Sequence, residues 1–482
     1  PRSTQSRSSA ASDVYKRQEF ISKNLKEILI TSFIISLIFS LSSDFFYVPF
    51  ILLFAATLYK YLSEKIFVLL SIIILISFTG EPLDSIRDYF TIVAIAGLFF
   101  FFLKRYGLVV ENYPKPTGIL LSLWFIFLFT ISFITFVNGF HLLGIDALFR
   151  STVFFAICYF LYAFLEEKDS NTNYYYLLLA LIIATLILSA TVYYELFSRG
   201  LAIFLVEGFF ARFAGAYGNF NTLAFLLSIG IIISIVALYS EKIPREIKLF
   251  FIPIYIFNNA FIIFLTNSRA SILTLTIALL FLFYHLNKKV ILIFLFLVFS
   301  LILLYLFDPF TQTLVDAYIR IETVSQRDYL WAAGIEIMKD YPIFGVGTEM
   351  FPYKFYTYVP TSGSYMFELF RILQKPHPHN YSLWLITENG ILGMVCALSL
   401  FGFYFFMSWK LLSNFSKAKN EVYYFSLGFM SIGIMVFVRS FFEVEGIFSY
   451  GYISRDLPFW ITYILLAYFY KYNIKENPER IN

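Results

Sequence analysis

Charged side chains are scarce in this chain. Aspartate, glutamate, lysine and arginine make up 14% of its 482 residues, well below the share usual in soluble domains. With 59% hydrophobic residues and a mean hydropathy of +0.75, that scarcity excludes an ordinary soluble protein. Cysteine is rarer still. Cys158 and Cys396 both fall inside apolar runs, which points to packing rather than a disulfide and leaves no zinc-type cysteine spacing. A glycine-rich phosphate loop is also missing. The lone Gly345-Val346-Gly347 is a turn signal, not a nucleotide signature. The net charge of +4 names no partner, and nothing points to nucleic acid. Residues 1–18 are polar, basic and serine-rich without an apolar h-region, so they are not a signal peptide. The run from Ser9 to Gln18 resembles an adapter scar and is set aside.

What is present is apolar sequence in runs of membrane-spanning length. Spans are expected at 27–43, 45–62, 65–79, 89–103, 117–138, 145–165, 174–197, 219–239, 249–266, 270–286, 289–307, 381–409, 421–441 and 457–472. Backbone groups in lipid must pair within their own segment, so these runs predict helices. The fold class is an all-α polytopic membrane protein, with about 12–14 helices if closely spaced runs merge or stay separate. The boundaries divide the chain into residues 19–198, N-terminal helices; 199–409, a core containing the polar segment 308–380; and 410–482, C-terminal helices and a tail.

Lysines mark one side of the membrane. Lys60, Lys65, Lys104, Lys115, Lys242, Lys248, Lys288 and Lys410 fall in alternate loops, which the positive-inside rule places in the cytoplasm. The polar segment 308–380 then faces outside. Cations on that side are mostly arginine, among them Arg150, Arg199, Arg212, Arg269, Arg327, Arg439 and Arg455. Each taken alone reads as snorkelling or pairing with a nearby acid. Taken together, their planar forks suggest an anionic, phosphate-bearing ligand.

Four constellations could carry chemistry. In Arg212-Phe213-Ala214-Gly215-Ala216-Tyr217-Gly218-Asn219-Phe220-Asn221, an asparagine could cap the following helix. In Thr266-Asn267-Ser268-Arg269-Ala270-Ser271, a serine could cap and Arg269 opposes the helix dipole, a conflict that a bound anion relieves. The third starts a helix near Ser325-Gln326-Arg327-Asp328, where Trp331, Ile335 and Met338 read as its packed stripe. The fourth is His377-Pro378-His379-Asn380, which holds two of only four histidines. Either imidazole suits a base for a hydroxyl near neutral pH; a bystander interfacial role and a metal role stay open. Glu388 sits inside the next span, where a carboxylate needs a partner such as a histidine or arginine. Glu443-Val444-Glu445 beside Arg439 reads as an ion pair.

Taken in order, these blocks resemble the bacterial O-antigen ligase and polymerase family. The resemblance covers roughly residues 200–400 and is carried by Arg212 to Asn221, Ser268-Arg269-Ala270, Arg327 to Gly347, and His379-Asn380 to Gly393. It implies a GT-C-like, metal-independent, inverting glycosyltransferase of the bacterial inner membrane, with its site facing the periplasm and without a cofactor. The donor would be a glycan on undecaprenyl diphosphate; the acceptor would be lipid A–core or a second lipid-linked glycan. By position, Arg212 and Arg269 would hold the diphosphate and His379 would act as base. Arg327, His377, Glu388 and Arg439 would support them. A flippase or exporter of lipid-linked glycan is the alternative from another class.

Overall fold

The computed structural model describes residues 64–77, 84–107, 113–166, 172–200, 211–309, 312, 327–358 and 376–475. The spans expected at 27–43 and 45–62, the apolar piece 201–210 and much of segment 308–380 lie outside the described residues. Among those described, every regular element is helical. Nine helices among the described residues are long and apolar enough to cross a bilayer, which makes the chain a polytopic membrane protein.

Helices α1 (Glu64–Ser77), α2 (Asp84–Tyr106), α3 (Gly118–Val137), α4 (Leu142–Leu165) and α5 (Asn173–Arg199) form the first part of the bundle. Then come α6 (Phe220–Ala237), α7 (Ile252–Thr266), α8 (Arg269–Leu286) and α9 (Lys288–Phe307). The polar segment supplies two shorter helices, α10 (Arg327–Asp340) and α11 (Phe351–Tyr358). The chain closes with α12 (Tyr381–Phe415), α13 (Glu421–Arg439) and α14 (Ile453–Tyr470). The boundaries fall within a few residues of the expected spans, because lipid thickness dictates run length.

Two helices form the centre. Helix α6 is apolar on every side and is buried from Thr222 to Ala237, as a helix with no polar face must be. Helix α14 is buried from Asp456 to Tyr470 and touches α1, α4, α5, α6, α12 and α13. At the periphery, α9 leaves Leu292, Phe296, Phe299 and Phe307 exposed, the surface expected of a helix whose sides meet lipid tails. Cys158 and Cys396 are free and buried, as their apolar surroundings suggested.

Helix α10 corrects one expectation. Its packed face is Leu330, Ala333 and Ile337, joined by Phe351 and Phe355 of α11, not the stripe of Trp331, Ile335 and Met338. Ile335 is exposed. The cause is Gly334: a Cβ there would stand 3.1 Å from Leu383 of α12. That close approach turns the neighbouring face inward and leaves Trp331 at its edge.

Candidate functional site

The site is built on a break in α12. At Gly390 the backbone adopts φ 61°, ψ −150°, a region essentially open only to glycine. The groups freed by the break are satisfied by the loop from Pro342 to Gly347. Val346 N–H donates to Thr387 O at 2.9 Å, Gly347 N–H donates to Glu388 O at 3.0 Å, and Ile391 N–H donates to Pro342 O at 3.1 Å. No side chain fits between the two strands of backbone. A Cβ on Gly390 would lie 2.0 Å from Ile343 O, and one on Gly345 would lie 2.3 Å from the Glu388 carbonyl. The turn read from Gly345-Val346-Gly347 is thus the partner of the Glu388-Asn389-Gly390 break.

Glu388 is buried at that break. It accepts from Glu349 N–H at 2.8 Å, Phe351 N–H at 3.2 Å and the Tyr450 hydroxyl at 2.8 Å. The sequence pointed to a histidine or arginine partner. The partners found are the start of α11 and a tyrosine, so Glu388 anchors the segment between Gly347 and Phe351 to the break.

The histidine turn sits at the head of α12. Asn380 caps the helix, its Oδ1 accepting from Leu383 N–H at 2.9 Å. His379 has φ +48°, a left-handed conformation uncommon outside glycine. Neighbours hold it there. Trp331 Nε1–H donates to Pro378 O at 2.7 Å, and Tyr381 N–H donates to Ser440 O at 2.7 Å.

Glu443 binds this turn to the rest of the site. Its side chain is 5% exposed, and its Oε2 is 3.0 Å from His379 Nδ1. Its Oε1 accepts from Arg327 Nη2 at 2.9 Å and from Asn221 Nδ2 at 2.7 Å. Arg439, which the sequence paired with this acidic stretch, is buried and donates instead to two backbone carbonyls, those of Glu445 and Asn221. The ion pair that does form on Glu443 is with Arg327, 116 positions away in the chain.

Asn221 is the second junction. Besides its bond to Glu443, its Oδ1 accepts from Ser268 Oγ at 2.8 Å and from Arg212 Nη2 at 3.3 Å. Arg212 also donates to Thr266 O at 3.0 Å and stacks over the Phe220 ring. Asn219, not Asn221, caps α6, through a 3.0 Å bond from Thr222 N–H. Ser268 precedes α8 but makes no capping bond; its hydroxyl serves Asn221 instead. Arg269 follows it, exposed, as the first residue of α8. The four constellations of the sequence therefore meet through two side chains, Asn221 and Glu443.

A cavity of about 400 Å³ opens beside them. His377, His379, Glu388 and Glu443 line it, as do Asn219 and Asn221. Arg212, Arg269, Arg327 and Arg439 are not among its lining residues; Arg455 is. Several arginines that the sequence gathered as an anion-binding mouth pair with acids here: Arg150 with Glu349 and Asp146, Arg199 with Glu195, and Arg455 with Glu445.

The electrostatics fix a proton. Burial alone would raise the Glu443 pKa. The hydrogen bond to His379 and the charges of His379, Arg439 and Arg327 outweigh it and bring the value down to about 2 from 4.5. Glu443 is therefore a carboxylate near neutral pH and can only accept. The hydrogen between them then sits on His379 Nδ1, so in the neutral tautomer of that ring Nε2 is the accepting nitrogen.

The same shift sets a pH dependence. The folded value lies below the unfolded one, so the stabilisation is complete above pH 4.5 and is lost as pH falls toward 2. Thermal unfolding in detergent is expected to show an acid limb on the order of a few kcal/mol. Glu443→Gln, less stable at the outset, is expected to lack that limb.

Sequence reasoning missed Glu443 and Asn221 as junctions, and Tyr450 and Trp331 as supports. One signal was available for the first. Two glutamates in a short loop, beside an arginine at a span end, are conspicuous in a chain with so little charge.

Two comparisons with known proteins bear on the family. Residues 254–398 match the O-antigen ligase family. A stretch of 134 residues is 25% identical to the exopolysaccharide production protein ExoQ of Rhizobium meliloti (strain 1021). That alignment takes in 27% of this chain and 29% of the relative. The resemblance drawn from the sequence blocks is upheld. The family match holds Arg269, Arg327, the histidine turn and the Gly390 break; Arg212, Asn221 and Glu443 stand outside it.

Proposed function

With an O-antigen ligase region across residues 254–398 as the premise, we propose that the chain transfers a glycan from a lipid diphosphate to a sugar hydroxyl. The membrane would be the bacterial inner membrane, and the site would face the periplasm. The observation that carries this reading is the His379–Glu443 pair on the wall of a cavity. A base held by a buried carboxylate beside a sugar-sized space is what hydroxyl activation requires.

The chemistry follows from the arrangement. The acceptor hydroxyl attacks the anomeric carbon of the donor glycan, and its proton passes to His379 Nε2. The bond from that carbon to the diphosphate oxygen breaks on the opposite face, so the configuration inverts. The diphosphate leaves with the bonding electrons, and fixed guanidinium groups stabilise the charge it gains. Arg212 and Arg269 are assigned that role, with Arg327 and Arg439 behind them. The reading gives the diphosphate and the acceptor sugar separate places, because neither Arg212 nor Arg269 lines the cavity. Asn221 touches Arg212 and Glu443 and lines the cavity, so it stands between the two places. No metal is needed for any step written here.

The test is reconstitution in membranes with undecaprenyl diphosphate–linked glycan and a lipid A–core acceptor, with products resolved on a gel. Glycan on lipid A–core identifies a ligase; a ladder still on the lipid diphosphate identifies a polymerase. Arg212→Lys and Arg269→Lys keep the charge but lose the planar fork. Each is expected to lower kcat/KM for the donor by about tenfold to a thousandfold. Unchanged donor kinetics in both variants would remove the diphosphate assignment.

A further inference from the structure

The cavity wall has a chemical bias beyond the base. Glu349, Glu388, Glu443 and Glu445 all line it. The cations that pair with two of them stand behind: Arg150 holds Glu349 and Arg327 holds Glu443, and neither arginine is part of the lining. Among the described residues Arg455 is the one arginine in the wall, and it is already engaged by Glu445. Among charged side chains the wall thus carries four carboxyl groups against one guanidinium, with His377 and His379 beside them. Tyr353 adds a ring to the wall and is 58% exposed.

Such a surface suits one kind of ligand. A neutral sugar offers hydroxyl donors to carboxylates and lays its C–H face on an aromatic ring. A uronic acid brings a further carboxylate to a wall where carboxyl groups outnumber cations, a repulsion that discriminates without any added attraction. We infer that the cavity is the acceptor-sugar subsite and that it selects an uncharged sugar over an acidic one, with Glu349 and Glu445 as the selecting residues. The inference rests on the transferase reading and narrows its acceptor to a chemical class.

Matched probes separate the two claims. Oligosaccharides of galacturonic, glucuronic and mannuronic acid are each compared with their carboxyl-reduced forms, which share linkage and length. Binding to the full chain in nanodiscs is followed by saturation-transfer NMR. Transfer onto the same probes is followed with undecaprenyl diphosphate–linked donor. At least one neutral form is expected to bind and accept glycan at least about tenfold better than its acidic partner at pH 7. Glu349→Gln and Glu445→Gln, made singly, are expected to bring that ratio toward one by improving the acidic probe.

Transfer to both members of every pair alike overturns the charge selection and leaves the transferase reading standing. A neutral preference in binding with no transfer supports the subsite and overturns the transferase reading. Binding of no neutral probe, or preference for the acidic form, overturns the subsite itself.

Discussion

Replacement of His379 is expected to cut glycan transfer by about 10²–10⁴-fold, the usual contribution of a positioned general base. Alanine is not the best variant, because His379 sits at φ +48° and a residue with a Cβ strains there. Asparagine tolerates the left-handed region better, so His379→Asn separates chemistry from folding. The fold is expected to persist, with thermal unfolding close to that of the parent, while product disappears from the gel. Glu443→Gln is expected to lose activity as well as stability. It exchanges one accepting oxygen for an NH2 donor, so His379 Nδ1 and Arg327 can no longer both be served, and it leaves Arg327 without its counter-charge. A buried pair broken in this way costs about 3–5 kcal/mol. Product that survives in His379→Asn would displace the base to His377, which lines the same cavity.

Gly390→Ala is expected to be strongly destabilising. The residue lies at φ 61°, ψ −150°, which costs a non-glycine residue about 1–3 kcal/mol. The methyl would also stand 2.0 Å from Ile343 O, and that oxygen belongs to backbone that cannot rotate away. To accommodate it, the loop from Pro342 to Gly347 must lift off α12. The carbonyls of Thr387 and Glu388 then lose their donors, and an unsatisfied group of this kind costs about 1–3 kcal/mol. The sum is a loss above about 3 kcal/mol. Hydrogen exchange distinguishes this from a general loss of order. Val346 and Gly347 are expected to lose protection before the amides of α6 do. Parent-like protection at Val346 in the alanine variant would show that the break does not depend on glycine.

The membrane fold was legible in the sequence because the bilayer imposes a length on every span. Helices α1 to α9 and α12 to α14 appear near where hydropathy put them, and α10 begins at the Arg327-Asp328 start read from its first turn, whereas α11 had no signal of that kind. The site was half legible. His379, Arg212 and Arg327 stand out as polar residues with a distinctive order, and the structure draws them toward one cavity. What joins them was hidden. Asn221 and Glu443 meet across 222 positions, and no local period or propensity records a contact at that range. Glu388 and Arg439 show the opposite limit. Each was rightly marked as a buried polar group in need of partners, yet the partners proved to be backbone or tyrosine, which sequence spacing does not reveal. The packed face of α10 was misread for a similar reason: a helix stripe was inferred from the helical spacing of apolar residues, whereas a glycine set the approach.

The loop between α13 and α14 has a consequence for how the protein is made. It supplies Glu443, and its residues Ser440 and Tyr450 steady the histidine turn and Glu388. Because it lies near the C-terminal end of the described chain, it leaves the ribosome after nearly every other part of the site. A nascent chain inserted only as far as α12 has His379 without its carboxylate and the Glu388 break without its tyrosine. His379 thus gains its carboxylate partner late, once the closing pair of helices has entered the bilayer, and a chain stalled before that point lacks part of the cavity wall.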